Sequence, residues 1–145
     1  MAVSFADTSF LFSLYGNDAH TASAKAWMRQ RTQPITITTL NRYEFGNAMR
    51  FAVFRRFILQ TDAESAQIAF EADIQSGYLQ LTPCDYSAVI EDANRLSTRY
   101  TSVGGHRSFD VLRVATARIV KSSAFLSFDA NQRKLASAVG LAVAP

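Results

Sequence analysis

Five short apolar runs punctuate this chain: AVSFA (2–6), PITITT (34–39), YLQLT (78–82), SAFLSF (123–128) and GLAVA (140–144). Each has the length and composition of a strand, and each is parted from the next by one or two segments with helical spacing. This alternation constrains the fold more than any single motif does. Two strands joined through a helix pair in parallel, because the connection must return to the starting edge, and the helices then cover both faces of the sheet. The expectation is an α/β domain of three layers, α/β/α, with a central parallel sheet of four to five strands, over residues 1–145 as one unit. In such sheets ligands bind beyond the carboxyl ends of the strands.

The intervening segments read as helices with recognisable ends. TSFLFSLYG places Phe10, Leu11 and Leu14 on one face, and Gly16 follows as a stop. Residues 18–32 form a second helix with Ala22, Ala26 and Trp27 turned inward. Residues 39–58 are helical with Thr39 as cap. Residues 62–76 are opened by Thr61 or Asp62, with Gly77 at the end, and residues 85–100 are capped by Asp85. TSVGGHRS (101–108) reads as a loop, SFDVLRVATARIVK as a helix capped by Ser108, and DANQRKLASAV as the last helix. No internal repeat, low-complexity tract or linker-like run interrupts the order.

Composition excludes several classes. A chain of 145 residues, nearly half of them apolar, can bury a core without disulfides. No apolar run reaches the roughly 18 residues of a membrane span, and MAVSFADTSF lacks the basic start of a signal peptide. A single cysteine, Cys84, forms no internal bridge, so the reducing cytoplasm is the simpler compartment. The net charge of +3 permits nucleic-acid contact without demanding it.

The acids carry the functional signal. Asp7 ends the first apolar run and opens a helix; Asp129 does the same after the fourth. If both strands are central and parallel, both carboxylates stand on one sheet edge. Asp110 lies in the first turn of its helix, and Glu44 one turn into the helix after the second strand. Any one of the aspartates reads better as a helix cap or a partner of the helix dipole. Four in one cleft are a different matter, since like charges about 4 Å apart repel by roughly 4 kcal/mol at an effective dielectric near 20. A hard divalent cation relieves that repulsion, and with no His or Cys ligand set, Mg²⁺ or Mn²⁺ fits.

These residues resemble the PIN-domain nucleases, most closely the VapC-type toxins of bacterial toxin–antitoxin pairs. The resemblance is carried by FADTSFL with Asp7, TTLNRYEFGNAM with Glu44, HRSFDVLRVATARIV with Asp110 and FLSFDANQRKLASAVGLAV with Asp129. It implies a PIN-like fold and a metal-dependent endoribonuclease, with Asp7, Glu44, Asp110 and Asp129 as catalytic and metal-binding residues. Thr8, Ser9 and Ser127 match polar positions near the family's acidic pocket. Transfer RNA is a common target of such relatives, with messenger and ribosomal RNA open. Many relatives have His where Arg113 stands in DVLRVATA, a departure that bears on substrate contact rather than on metal binding. A cognate antitoxin protein is implied as partner.

For such a nuclease, RNA phosphates need positive charge around the acidic centre. Arg42, Arg50, Arg107, Arg113, Arg133 and Lys134 are candidates, each with a solvated helix face as the plainer reading. His20 reads as a surface helix residue, and His106, in the loop before Asp110, as a candidate substrate contact. MRFAVFRRFIL (49–59) carries Phe51, Phe54, Phe57 and Ile58, more than one core-facing stripe needs, so an interface with an antitoxin segment or with a second copy in a homodimer is expected. Two other readings remain: a phosphatase-like hydrolase, or a non-catalytic module with an acidic pocket. The haloacid-dehalogenase pattern wants a second Asp two residues after the first, where Ser9 stands. A receiver-like module wants paired acids ahead of its phosphoacceptor. No glycine-rich phosphate loop is present.

Overall fold

The computed structural model describes residues 3–145, so Ala2 of the first apolar run lies outside the described residues. All five runs form strands: β1 Ser4–Ala6, β2 Ile35–Ile37, β3 Leu79–Leu81, β4 Ala124–Leu126 and β5 Ala142–Ala144. They make one sheet in the order β3-β2-β1-β4-β5, with every neighbouring pair parallel. From β1 the chain winds outward through β2 to β3, then returns to β4 on the other side of β1 and ends in β5. The gap between β1 and β4 is therefore the switch point of the sheet, where its connections diverge and leave a crevice at the carboxyl edge.

Alternation along the strands builds two cores. Ala6 and Leu126 point to the face that also buries Phe10, Leu11, Met28, Phe45 and Phe70. Their neighbours Phe5 and Phe125 point to the other face, with Val89, Val114 and Leu135. The first face is covered by α1 Thr8–Tyr15, α2 Thr21–Gln30, α3 Thr39–Phe54 and α4 Gln60–Gln75. The second is covered by α5 Tyr86–Leu96, α7 Ser108–Ile119 and α8 Ala130–Ala138, with the short α6 Ser102–Gly104 between α5 and α7. Phe45 and Phe70 stack at 4.2 Å between α3 and α4. Each fully buried ring of this kind stabilises the fold by roughly 1.5–3 kcal/mol through the water it sheds.

The structure departs from the sequence reading at particular ends and faces. In α2 the buried residues are Thr21, Ala24 and Met28, while Ala22 and Ala26 are exposed and Trp27 is half-buried. Small residues occur on both sides of this helix, so the apolar spacing could not set its rotation. The cap of α3 is Thr38, not Thr39: the Asn41 carbonyl accepts from the Thr38 backbone N–H at 2.8 Å and from its hydroxyl at 2.9 Å. The Asn41 amide donates to the Ala6 carbonyl at 3.2 Å, tying this helix start to the end of β1. Helix α3 stops at Phe54, four residues early, where the chain turns through Arg56 at φ 60°. The cap of α7 is Arg107, so Ser108 is its first helical residue. The expected loop at 101–108 is mostly helical. A π-helical turn, Ser97–Thr101, continues α5 into α6, and Gly105 at φ 68° ends it in the left-handed region that glycine accepts without a Cβ clash.

Candidate active site

Strand register places the first two site residues. Ala6 pairs with Leu126, so the next residues, Asp7 and Ser127, leave the sheet side by side. Asp7 is wholly buried and caps α1: its Oδ1 accepts from the Phe10 N–H at 3.0 Å and from the Ser9 hydroxyl at 2.8 Å. Its Oδ2 accepts from the Ser127 hydroxyl at 2.9 Å. Ser127 in turn accepts from the Asp129 N–H at 3.0 Å, and Asp129 Oδ1 caps α8 through the Gln132 N–H at 2.9 Å. The Gln132 side-chain amide donates to Asp110 Oδ1 at 3.1 Å.

Arg113 extends these contacts to Glu44. It stands one turn along α7 from Asp110 and lies 3.7 Å from Asp110 Oδ1. The same guanidinium reaches across to α3 and donates to Glu44 Oε2 at 2.5 Å. Hydrogen bonds thus join Asp7, Asp129 and Asp110 at three helix starts on the carboxyl edge of the sheet, and the ion pairs of Arg113 add Glu44, one turn into α3. The cation among them was not anticipated as such. Repulsion among the acids is met in part by Arg113 itself, which supplies a resident counter-charge.

The charges are held in strained balance. Burial pushes the Asp7 carboxyl up to about 6, against the hydrogen bonds from Phe10, Ser9 and Ser127 and the positive charge of Arg113. Burial pulls the Arg113 guanidinium down, but the hydrogen bond and charge of Glu44, with Asp7 and Asp110, more than reverse it and the net shift is upward. One guanidinium against three carboxylates leaves the centre negative. Glu44 Oε1 is buried with no hydrogen-bond partner, as are Gln132 Oε1, Thr8 Oγ1 and Arg113 Nε.

That surplus negative charge, the all-oxygen donor set and the orphaned Glu44 oxygen fit a hard divalent cation. The fit is not a closed cage: among the described residues, no three His, Cys, Asp or Glu side chains are grouped as ready ligands for a metal.

Of the supporting residues, Ser9 and Ser127 hold Asp7 directly, and Ser9 Oγ also accepts from the Phe128 N–H at 3.1 Å. Thr8 lines the cleft beside Ser9 and Asp129. Of the six cations, Arg113 lines that cleft. Arg42 is held by Glu71 of α4, with N–O distances of 2.9 and 2.5 Å. Arg133 donates to the carbonyls of Ser127 and Pro145 at 2.8 and 3.0 Å, bracing the α8 start against the chain end. Arg50 lies over Gly46, and Arg107 and Lys134 are exposed at helix surfaces. His106 is buried and lines a separate cavity between α5 and α7 with Ile90 and Phe109. Sequence reasoning missed Gln132, whose position three residues after Asp129 is the first-turn spacing of a cap. It also placed His20 on a plain surface helix, whereas the structure sets it in the cleft wall.

A five-stranded parallel sheet in this order, with acids gathered at the switch point between β1 and β4, defines a class of α/β domain. The family profile of the PIN domain matches residues 4–138, and the chain belongs to that family. Among solved structures, VapC20 of Mycobacterium tuberculosis, described as a sarcin–ricin loop cleaving toxin, superposes with a TM-score of 0.69 at 20% identity, covering 98% of this chain and 99% of that one. FitAcB of Neisseria gonorrhoeae superposes with a TM-score of 0.66 at 13% identity, covering 99% and 97%. At these identities the likeness is one of fold. No curated protein is close enough in sequence to count as a relative.

Proposed function

We propose that this protein is a metal-dependent endoribonuclease of the VapC toxin type, which cleaves RNA phosphodiester bonds at the Asp7–Glu44–Asp110–Asp129 centre. The observation that carries the reading is the single network joining these four acids through Arg113, Gln132 and Ser127 at the sheet's switch point. A solved structure of the same fold is itself described as a sarcin–ricin loop cleaving toxin.

Asp7, Glu44 and Asp110 would hold Mg²⁺ or Mn²⁺, with Asp129 completing the set; when bound, the ion supplies Lewis-acid stabilisation of phosphate charge and a more acidic water. The chain's own residues do the rest. Ser9 and Ser127 fix both oxygens of Asp7, so its carboxylate needs no rearrangement to act. Gln132 fixes Asp110. Arg113 lines the cleft, so a phosphodiester entering it would meet the positive charge of the guanidinium.

Transfer, messenger and ribosomal RNA are the candidate substrates. A cognate antitoxin fits the exposed Phe51, Phe54, Phe57 and Leu59, over which Arg55 lies at 5.8 Å from the Phe51 ring and 5.1 Å from the Phe57 ring. A homodimer is the other use of that face. Among the described residues no helix is long and apolar enough to cross a membrane, and the cytoplasm is the proposed compartment.

Purified protein incubated with labelled transfer RNA and ribosomal-loop RNA, with Mn²⁺ or with chelator, tests the reading. Cleavage in Mn²⁺ alone, lost in Asp110→Asn with the fold intact, is expected. Equal cleavage in chelator, or full activity in Asp110→Asn, would remove the metal mechanism.

A further inference from the structure

Beside Asp129 and Arg113, the cleft has an aromatic wall that the metal chemistry does not use. Phe128 stands between Ser127 and Asp129, and its ring stacks with buried Phe10 at 5.8 Å and 18° and with exposed His20 at 4.4 Å and 10°. The stack therefore runs from the core to the surface and ends in an imidazole. That ring lines the same cleft as Ser9, Arg113 and Asp129.

His20 is held in place before any ligand arrives. Its backbone N–H donates to Asp18 Oδ1 at 2.8 Å, and Asp18 Oδ2 accepts from the Ser13 hydroxyl at 2.8 Å. The Thr21 hydroxyl accepts from the Asp18 N–H at 2.9 Å and donates to the Ser13 carbonyl at 2.6 Å. The helix that starts here makes no capping use of the His20 side chain. With its backbone held in this way and its ring stacked on Phe128, the imidazole loses little conformational freedom when a second flat group is laid on it.

We propose that His20, seated on Phe128, is the stacking platform for a nucleobase adjoining the phosphate that enters the acidic cleft, which makes single-stranded RNA the form this site takes. The inference rests on the ribonuclease reading and deepens it. A base inside a duplex has both faces covered by its neighbours, so a loop, bulge or single strand alone can offer one to the imidazole. Stacking on an aromatic side chain tolerates any base, so the platform selects unpaired structure rather than sequence.

The test is binding of a short single-stranded oligoribonucleotide carrying 2-aminopurine, with chelator and again with Ca²⁺, by wild type, His20→Ala and His20→Phe. The wild type is expected to quench the fluorophore and to prefer the strand to its duplex. His20→Ala should lose the quench and weaken binding by about 5- to 100-fold, and His20→Phe should restore both. Unaltered binding and quench in His20→Ala, equal affinity for duplex, or no quench by wild type in either buffer would overturn the platform. Cleavage in Mn²⁺ is scored separately. A wild type that quenches the base and never cuts RNA refutes the nuclease reading alone. One that cuts, with His20→Ala binding as wild type does, refutes the platform alone.

Discussion

Replacing Asp7 by Asn should make the metal-free protein more stable, although it removes a central site residue. In the fold Asp7 keeps its proton up to about pH 6, against 3.8 for an ordinary aspartate. Between those values the folded chain holds a proton that the unfolded chain has released, so stability is fully present below pH 3.8, falls as pH rises through about 6, and stays reduced above it. A shift of about two units corresponds to about 3 kcal/mol. Asn has nearly the same shape and caps a helix as well as Asp does. Its carbonyl can accept from Phe10 and Ser9, and its amide can donate to Ser127, so no buried partner is abandoned. The expected gain for Asp7→Asn is about 2–3 kcal/mol at pH 8 and well under 1 kcal/mol near pH 4. Urea unfolding in chelator, read as a change of midpoint at constant slope across that pH range, measures it. A variant less stable than wild type at pH 8, or a gain that does not change with pH, would refute the claim that burial of this charge is the dominant cost. The same variant should lose cleavage, which would place the site among those where function is kept at the expense of stability.

Two further outcomes follow from the contacts. Arg113→Ala leaves Glu44 and Asp110 without their cation, so the metal-free protein should lose about 2–3 kcal/mol while Mn²⁺ binds more tightly; calorimetric titration showing unchanged or weaker Mn²⁺ binding would contradict the guanidinium's role as resident counter-charge. Phe54→Glu, at a ring that is 79% exposed, should leave the melting temperature within about 1–2 °C of wild type while abolishing capture of the antitoxin; retained capture would move the partner surface elsewhere.

How much of this was legible beforehand depends on the range of the interaction concerned. Strand runs, helix starts at Asp7, Asp85 and Asp129, and stops at Gly16 and Gly77 are local events, decided within one turn of chain, and they stand where the sequence put them. The inner face of α2 was misjudged because its alanines fit either side and only packing against Met28's neighbours chose between them. The end of α3 was misjudged because MRFAVFRRFIL is apolar enough to run on as a helix, and the continuation past α5 because the polar, glycine-containing TSVGG has the composition of a loop. The four acids were expected to converge from their strand-end and helix-start settings together with the family pattern, and the structure brings them to one edge of the sheet; their catalytic role belongs to the proposal.

Taken alone, the order of residues determined an alternating parallel fold and which carboxylates would meet at its carboxyl edge, since periodicity and capping act between near neighbours. Only the tertiary structure decided that Arg113 would neutralise Glu44, 69 residues away, and that His20 would lie on Phe128. Both depend on the distance and angle between elements, which are set by how whole faces pack and leave no trace in local sequence.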